Sequence, residues 1–133
     1  MKHILLAYDG SEPAKRAFEQ ALNLADRYGA RLSVLAVSRP PEFASEVETE
    51  AVMDNSLQYC RALLEPLRAL APAACFEVAV GHPAVQITTW AEAHGVDLIA
   101  MGHRGKTPFD RWLIGSVAKK VMSYAPCSVL IVR

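Results

Sequence analysis

Short apolar runs alternate along this chain with longer segments in which apolar residues recur at helical spacing. The runs are almost unbroken in apolar character, which is typical of strands buried on both faces of a sheet. They are predicted at 4–8, 31–37, 75–80, 96–101 and 128–132. The segments between them have one apolar stripe each, as amphipathic helices do. The pattern therefore predicts the order β-α-β-α-β-α-β-α-β.

Turn and capping residues set the expected helix bounds. The first helix follows 9–13, where either Asp9 or Ser11 can cap it and Pro13 is tolerated in its first turn. Gly29 ends its pattern. In the second helix, Pro66 falls late and is expected to kink or shorten it. The remaining helices are predicted at 83–94 and 115–124.

Strict alternation of strands and helices favours a three-layer α/β fold in which helices cover both faces of a parallel sheet. No linker or internal repeat interrupts the pattern, so one domain is expected over 1–133. Ligands of such sheets bind beyond the carboxyl ends of the strands, where the strand order reverses. The loops after the first, second and fourth strands are therefore the expected site.

Composition narrows the class of protein. Hydrophobic residues make up 52% of the 133 residues, which excludes a disordered chain. Lysine plus arginine (14) balance aspartate plus glutamate (14), so neither a nucleic-acid binder nor a membrane-surface protein is expected. The cysteines at 60, 75 and 127 are too scattered for a disulfide framework or a zinc site. Without a leader or an apolar run near the ~20 residues of a membrane span, the prediction is a soluble cytoplasmic protein.

A glycine-rich loop is the strongest chemical signal. Gly102-His103-Arg104-Gly105 follows the fourth strand, and Gly115-Ser116-Val117 begins the last helix. A helix start offers unpaired N–H groups and a positive dipole end, and glycines let backbone amides approach phosphate oxygens. Lys106 and Arg111 add to the basic character that His103 and Arg104 give the loop. The alternative is an ordinary surface loop with a glycine C-cap and a serine N-cap.

Two better-known nucleotide motifs are missing. Gly105-Lys106-Thr107 looks like the end of a P-loop, but the first glycine of that motif would have to be residue 100, which is Ala100. After the first strand only Gly10 is present, so the GxGxxG fingerprint of dinucleotide sites is also missing. The chain is therefore expected to be neither a Walker-type NTPase nor a conventional NAD-binding protein.

No catalytic or metal-binding set emerges from the sequence. Ser116 is not in a GxSxG elbow and has no evident base, so a role as nucleophile is not expected. Cys127 precedes an apolar strand and is expected to be packed instead of reactive. The histidines at 3, 82 and 94 have no partner on a shared helix face, so no metal site is predicted.

The glycine spacing resembles the G-x-x-G-x(9)-G-[ST] nucleotide signature of the universal stress protein family. Gly102, Gly105, Gly115 and Ser116 match that signature in register. Segments 4–11, 97–102 and 125–132 also resemble the family, so the similarity runs from the first strand to the last.

The resemblance implies an open, Rossmann-like sheet of five parallel strands in the order 3-2-1-4-5. It also implies ATP or AMP as ligand, with or without Mg²⁺, because family members that keep the signature bind ATP. Asp9 would lie near the ribose or a phosphate-bound metal, and backbone around Val37 would contact adenine. The full set of implied nucleotide-binding residues is Ala7, Tyr8, Asp9, Val37, Met101, Gly102, His103, Arg104, Gly105, Gly115, Ser116 and Val117.

The functional hypothesis is a stress-response regulator that acts as a nucleotide-occupied switch. A homodimer is expected to form through the apolar C-terminal strand, Ser128 to Val132. Two alternatives stay open: a slow ATPase or nucleotide-transfer enzyme, and a ligand-free interaction module.

Overall fold

The computed structural model describes residues 1–39, 46–105 and 114–133, except for the side chains of 46–49. Strands and helices alternate along these ranges as the sequence pattern predicts. The elements are β1 (His3–Ala7), α1 (Glu12–Tyr28), β2 (Arg31–Ser38), α2 (Glu46–Leu70), β3 (Cys75–Val80), α3 (Pro83–Ala93), β4 (Leu98–Gly102), α4 (Ser116–Tyr124) and β5 (Ser128–Val132).

The strands form one sheet in the order β3-β2-β1-β4-β5, and every neighbouring pair is parallel. This confirms the predicted fold class and strand order. Ala7 at the end of β1 lies opposite Leu35 of β2 and Met101 of β4. Because β2 and β4 leave β1 on opposite sides, the strand order reverses at β1, and the carboxyl ends of these three strands open onto one crevice.

Two apolar clusters, one on each face of the sheet, hold the helices in place. Ile4 and Leu6 of β1 point into the cluster that α1 and α2 cover, whereas Leu5 points into the cluster of α3 and α4. All three side chains are 0% exposed, which is the reason that β1 reads as a continuous apolar run. Among the described helices, none is long and apolar enough to cross a membrane.

The start of α1 resolves which residue caps it. The Ser11 hydroxyl accepts a hydrogen bond from the Ala14 amide (3.2 Å), so Ser11 is the N-cap. The Ser11 amide in turn donates to Asp9 Oδ1 (3.0 Å). Asp9 therefore shapes the turn before the helix. At the other end Gly29 adopts φ 60°, a left-handed conformation that glycine reaches at little cost.

Of the two effects expected of Pro66, a kink or a shorter helix, the second is wrong. Pro66 does not shorten α2, which continues to Leu70. Its ring lies on the exposed side of the helix, while Leu64 and Leu67 on the other side are buried against the sheet and hold the last turns in place.

Candidate functional site

A cavity of about 470 Å³ lies at the carboxyl ends of β1, β2 and β4, at the point where the strand order reverses. Its volume is within the range of roughly 300–1,000 Å³ that small-molecule sites occupy. This is the end of the sheet at which the switch-point rule predicts ligand binding.

The cavity wall has an apolar and a polar part that come from different elements. Leu35 and Val37 of β2 and Ile87 of α3 belong to the apolar part, together with Met101. The polar part is formed by the exit of β1, the glycine loop after β4 and the start of α4. Its members are Asp9, Gly102, Arg104, Gly105, Gly115 and Ser116.

The glycines of the signature are sites of close approach within the protein itself. A Cβ atom at Gly102 would lie 2.8 Å from Pro13 Cβ and 2.9 Å from the Ala14 nitrogen, so glycine lets α1 pack directly on the end of β4. At Gly115 it would lie 3.2 Å from Arg104 Cα. Gly102 is therefore required for this packing, whereas a side chain at Gly115 would make Arg104 shift by a few tenths of an ångström.

Asp9 faces the glycine loop with one carboxylate oxygen. Oδ1 accepts from the Ser11 amide, whereas Oδ2 would lie 3.0 Å from a Cβ atom at Gly105. The side chain is exposed. The turn before α1 thus fixes the carboxylate and directs Oδ2 toward the loop.

The start of α4 is open toward the cavity. Gly115 is the N-cap, and no side chain caps the helix. Ser116, Val117 and Ala118, the first helical residues, all contribute to the cavity wall. The first amides of a helix have no partner within the helix and lie at its positive dipole end. This end of the cavity is therefore electropositive and rich in N–H donors.

His103 is the only predicted site residue that the structure does not place on the cavity wall. Its side chain is 2% exposed, and neither Nδ1 nor Nε2 has a hydrogen-bond partner among the residues that the structure describes. Its backbone is well anchored: the His103 amide donates to the Val132 carbonyl (2.7 Å), and the His103 carbonyl accepts from the Gly115 amide (2.6 Å). His103 therefore belongs to the support beneath the loop.

The other predicted residues, Ala7, Tyr8, Asp9, Val37, Met101, Gly102, Arg104, Gly105, Gly115, Ser116 and Val117, all line the cavity. Lys106 and Arg111 lie outside the described residues. The sequence reasoning missed Leu35, Pro83, Ile87, Ile114 and Ala118. A signal existed for Leu35, since it is two residues from Val37 and shares its strand face. For Pro83 and Ile87 the signal was weaker, because the start of α3 reaches the cavity only through tertiary packing.

The thiols of Cys60 and Cys127 do not line this cavity, and neither is activated. Burial raises the pKa of the Cys127 thiol, with a smaller contribution from the negative charge of Asp97. Burial likewise raises the pKa of the Cys60 thiol, so both groups lose thiolate character. In the part of the chain that the structure describes, no three His, Cys, Asp or Glu side chains form a group that could hold a metal ion.

The model of the universal stress protein family matches residues 1–133. The chain belongs to this family. A universal stress protein of Thermus aquaticus, encoded in the 3′ region of a QAH/OAS sulfhydrylase, is 38% identical over 135 residues, which cover 99% of this chain and 98% of that relative. The universal stress protein UspA from Lactobacillus plantarum has a similar structure, with a TM-score of 0.90 and 27% identity over 99% of this chain and 97% of that one.

Two further structures of universal stress proteins share the fold at lower identity. One is in complex with cAMP, with a TM-score of 0.66 and 20% identity over 99% of this chain and 97% of that one. The other, from Archaeoglobus fulgidus, is in complex with dAMP, with a TM-score of 0.63 and 20% identity over 100% of this chain and 98% of that one.

Proposed function

We propose that this universal stress protein binds an adenine nucleotide, ATP or AMP, and acts as a nucleotide-occupied switch in the stress response. The observation that carries the proposal is the cavity at the strand-order reversal, whose polar wall contains the complete glycine signature and the uncapped start of α4. Such a helix start suits a phosphate group, because its amides donate hydrogen bonds and its dipole favours negative charge.

The cavity wall fits the parts of a nucleotide in order. The apolar lining of Leu35, Val37 and Ile87 suits a purine base, and the loop and α4 suit the phosphates. Oδ2 of Asp9 suits a magnesium ion shared with phosphate oxygens, since Mg²⁺ is usually held by one or two carboxylates together with substrate phosphates. The complexes of two family members with cAMP and dAMP support an adenine nucleotide as the ligand class.

The first test identifies the ligand and measures its affinity. Mass spectrometry of the denatured, purified protein should detect ATP or AMP that co-purifies with the chain. Calorimetry should then show that Gly115→Val weakens ATP and AMP binding by more than about tenfold, because the Cβ atom would displace Arg104 and with it the loop. The expected cause of the loss is displacement of the loop. The glycine spacing alone suggests a different cause, direct blockage of the phosphate position by the valine side chain.

A control variant separates loss of the site from loss of the fold. Ser123→Ala changes an exposed residue of the same helix and should leave both affinity and thermal stability unchanged. A folded wild-type protein that binds neither ATP nor AMP would disprove the proposed function and favour an interaction module without a ligand.

A further inference from the structure

Asp9 and Arg104 are the only residues of the described cavity wall that carry a charge at neutral pH. They flank the same stretch of loop. A Cβ atom at Gly105 would meet Asp9 Oδ2, and one at Gly115 would meet Arg104 Cα. The carboxylate of Asp9 and the backbone of Arg104 therefore both lie beside the glycine loop that leads into α4.

Arg104 is half-buried and forms no ion pair with a described carboxylate. The carboxylate of Asp9 accepts its hydrogen bond from the Ser11 amide instead. A guanidinium group that is partly removed from water favours an anionic partner, and it matches a phosphate group with two parallel N–H donors. Arg104 is thus a positive charge on the cavity wall, and the described residues supply no carboxylate to pair with it.

Asp9 has the opposite effect on a ligand with many charges. Its Oδ2 atom faces the loop that would hold the phosphates, and every additional phosphate adds negative charge near this carboxylate. A magnesium ion between Oδ2 and the outer phosphates would replace this repulsion by attraction. Without the ion, the Asp9 carboxylate opposes each added phosphate.

We propose that Arg104 anchors a single phosphate group and that Asp9 makes the site selective for nucleoside monophosphates when no divalent cation is present. This selectivity rests on the proposed nucleotide site and specifies its ligand further. ATP then becomes a good ligand only as its magnesium complex, so the cation determines which adenine nucleotide occupies the protein.

The wild-type protein provides the primary test. Calorimetry with adenosine, AMP, metal-free ATP and Mg-ATP should show that AMP binds at least about tenfold more tightly than adenosine. Metal-free ATP should bind no more tightly than AMP, and Mg²⁺ should improve ATP affinity by at least about tenfold. Because this series uses no variant, its outcome does not depend on the folding of a mutant.

A matched pair of variants tests the anchor. Arg104→Gln and Lys120→Gln each remove one positive charge, and Lys120 is an exposed residue of α4 that does not line the cavity. Arg104→Gln should weaken AMP binding by about tenfold or more and leave adenosine unaffected, whereas Lys120→Gln should change AMP affinity by less than about threefold. Equal losses in the two variants would overturn the role of Arg104 as a specific anchor.

Asp9→Asn tests whether the negative charge of Asp9 weakens ATP binding, and the expected result is an increase in affinity. The amide keeps an oxygen that can accept from the Ser11 amide but removes the negative charge, so metal-free ATP should bind about fivefold more tightly and its dependence on Mg²⁺ should shrink. Metal-free ATP that already binds more tightly than AMP to the wild type would overturn the selectivity while the proposed function stands. Failure of every ligand to bind would overturn the proposed function as well.

Discussion

The imidazole of His103 lies in the interior beneath the glycine loop, and within the described ranges neither of its nitrogens has a hydrogen-bond partner. An unsatisfied buried polar group costs about 1–3 kcal/mol of folding stability. The main chain of the same residue holds Val132 and Gly115 through two short hydrogen bonds. The backbone of His103 thus stabilises the loop, while its side chain opposes that stability.

His103→Leu should therefore leave the protein at least as stable as the wild type, with a gain in the free energy of unfolding of up to about 1 kcal/mol. Leucine removes the unsatisfied nitrogens and fills most of the same space. Nucleotide affinity should change by less than about threefold, since the ring is not on the cavity wall. Denaturant unfolding and calorimetry measure the two quantities.

The exposed His82 offers the control for that experiment, because His82→Leu has no buried polar atom to remove and should not stabilise the protein. A stability loss above about 1 kcal/mol for His103→Leu would show that the imidazole is satisfied in the folded protein.

The positions of the site glycines could be predicted at the level of single residues, but the atoms that require them could not. Gly102 and Gly115 are visible in the sequence as parts of the glycine signature. Their nearest neighbours, Pro13 and Arg104, are identified only by the folded chain. The burial of the His103 ring away from the cavity wall was not predictable either, since the position of a residue in a loop does not give the direction of its side chain.

At the scale of elements, the apolar pattern predicts burial more directly than it predicts hydrogen bonding. Val96 is 6% exposed and belongs to the predicted fourth strand, yet β4 begins at Leu98. The Val96 amide donates to the Ala91 carbonyl at the end of α3, so this residue is buried before the sheet begins. Strand existence and order were therefore predictable, whereas the bounds of β1, β2 and β4 shifted by one or two residues.

β5 is an edge strand whose outer backbone groups have no neighbouring strand in the described chain. The Val132 carbonyl accepts from His103 and so faces β4. Because backbone groups alternate in direction along a strand, those of Val129 and Ile131 face away from the sheet. These are the groups that a second copy would pair with, and pairing would remove an exposed edge.

Val129→Pro should convert a homodimer of this protein into a monomer, because proline lacks the outward amide while the inner ladder to β4 keeps its bonds. Sedimentation equilibrium at micromolar concentration measures the change. Val129→Ala is the matched control, since it shortens the side chain but keeps the amide, and it should remain dimeric. Leu130 is a poorer target, because its side chain packs on the core cluster under α1. A monomeric wild type would contradict the prediction.

At the scale of the whole molecule, the topology was predictable because it follows from a general rule for alternating strands and helices together with a family resemblance. The residues of the apolar half of the cavity were harder to predict from the sequence. Pro83 and Ile87 line the cavity because α3 packs across the sheet beside β2, which depends on all the connections at once. The switch-point rule considers only the loop that follows each strand, so it cannot identify residues of α3 such as these.

Any hydrolysis of bound ATP should be slow, below about one turnover per second, compared with roughly 10 per second for a typical enzyme. The amides of the loop and of α4 would hold the phosphates equally in the ground state and the transition state, which improves affinity without raising the rate. The described wall offers Asp9 as its only carboxylate, and the ring of His103 lies elsewhere. Phosphate release over hours measures the rate, and faster turnover that Asp9→Ala abolishes would establish an enzyme.

The cavity and the edge strand meet in consecutive residues. Gly102 lines the cavity and lies opposite Val132 in the sheet, and the next amide, that of His103, bonds to Val132. Opening of the loop would therefore break the hydrogen bond from the His103 amide to the Val132 carbonyl, which lies at the end of the β4–β5 pairing. Hydrogen exchange of the His103 amide would therefore respond both to occupancy of the cavity and to the order of β5. One spectroscopic probe at this peptide group would monitor the cavity and the edge strand together.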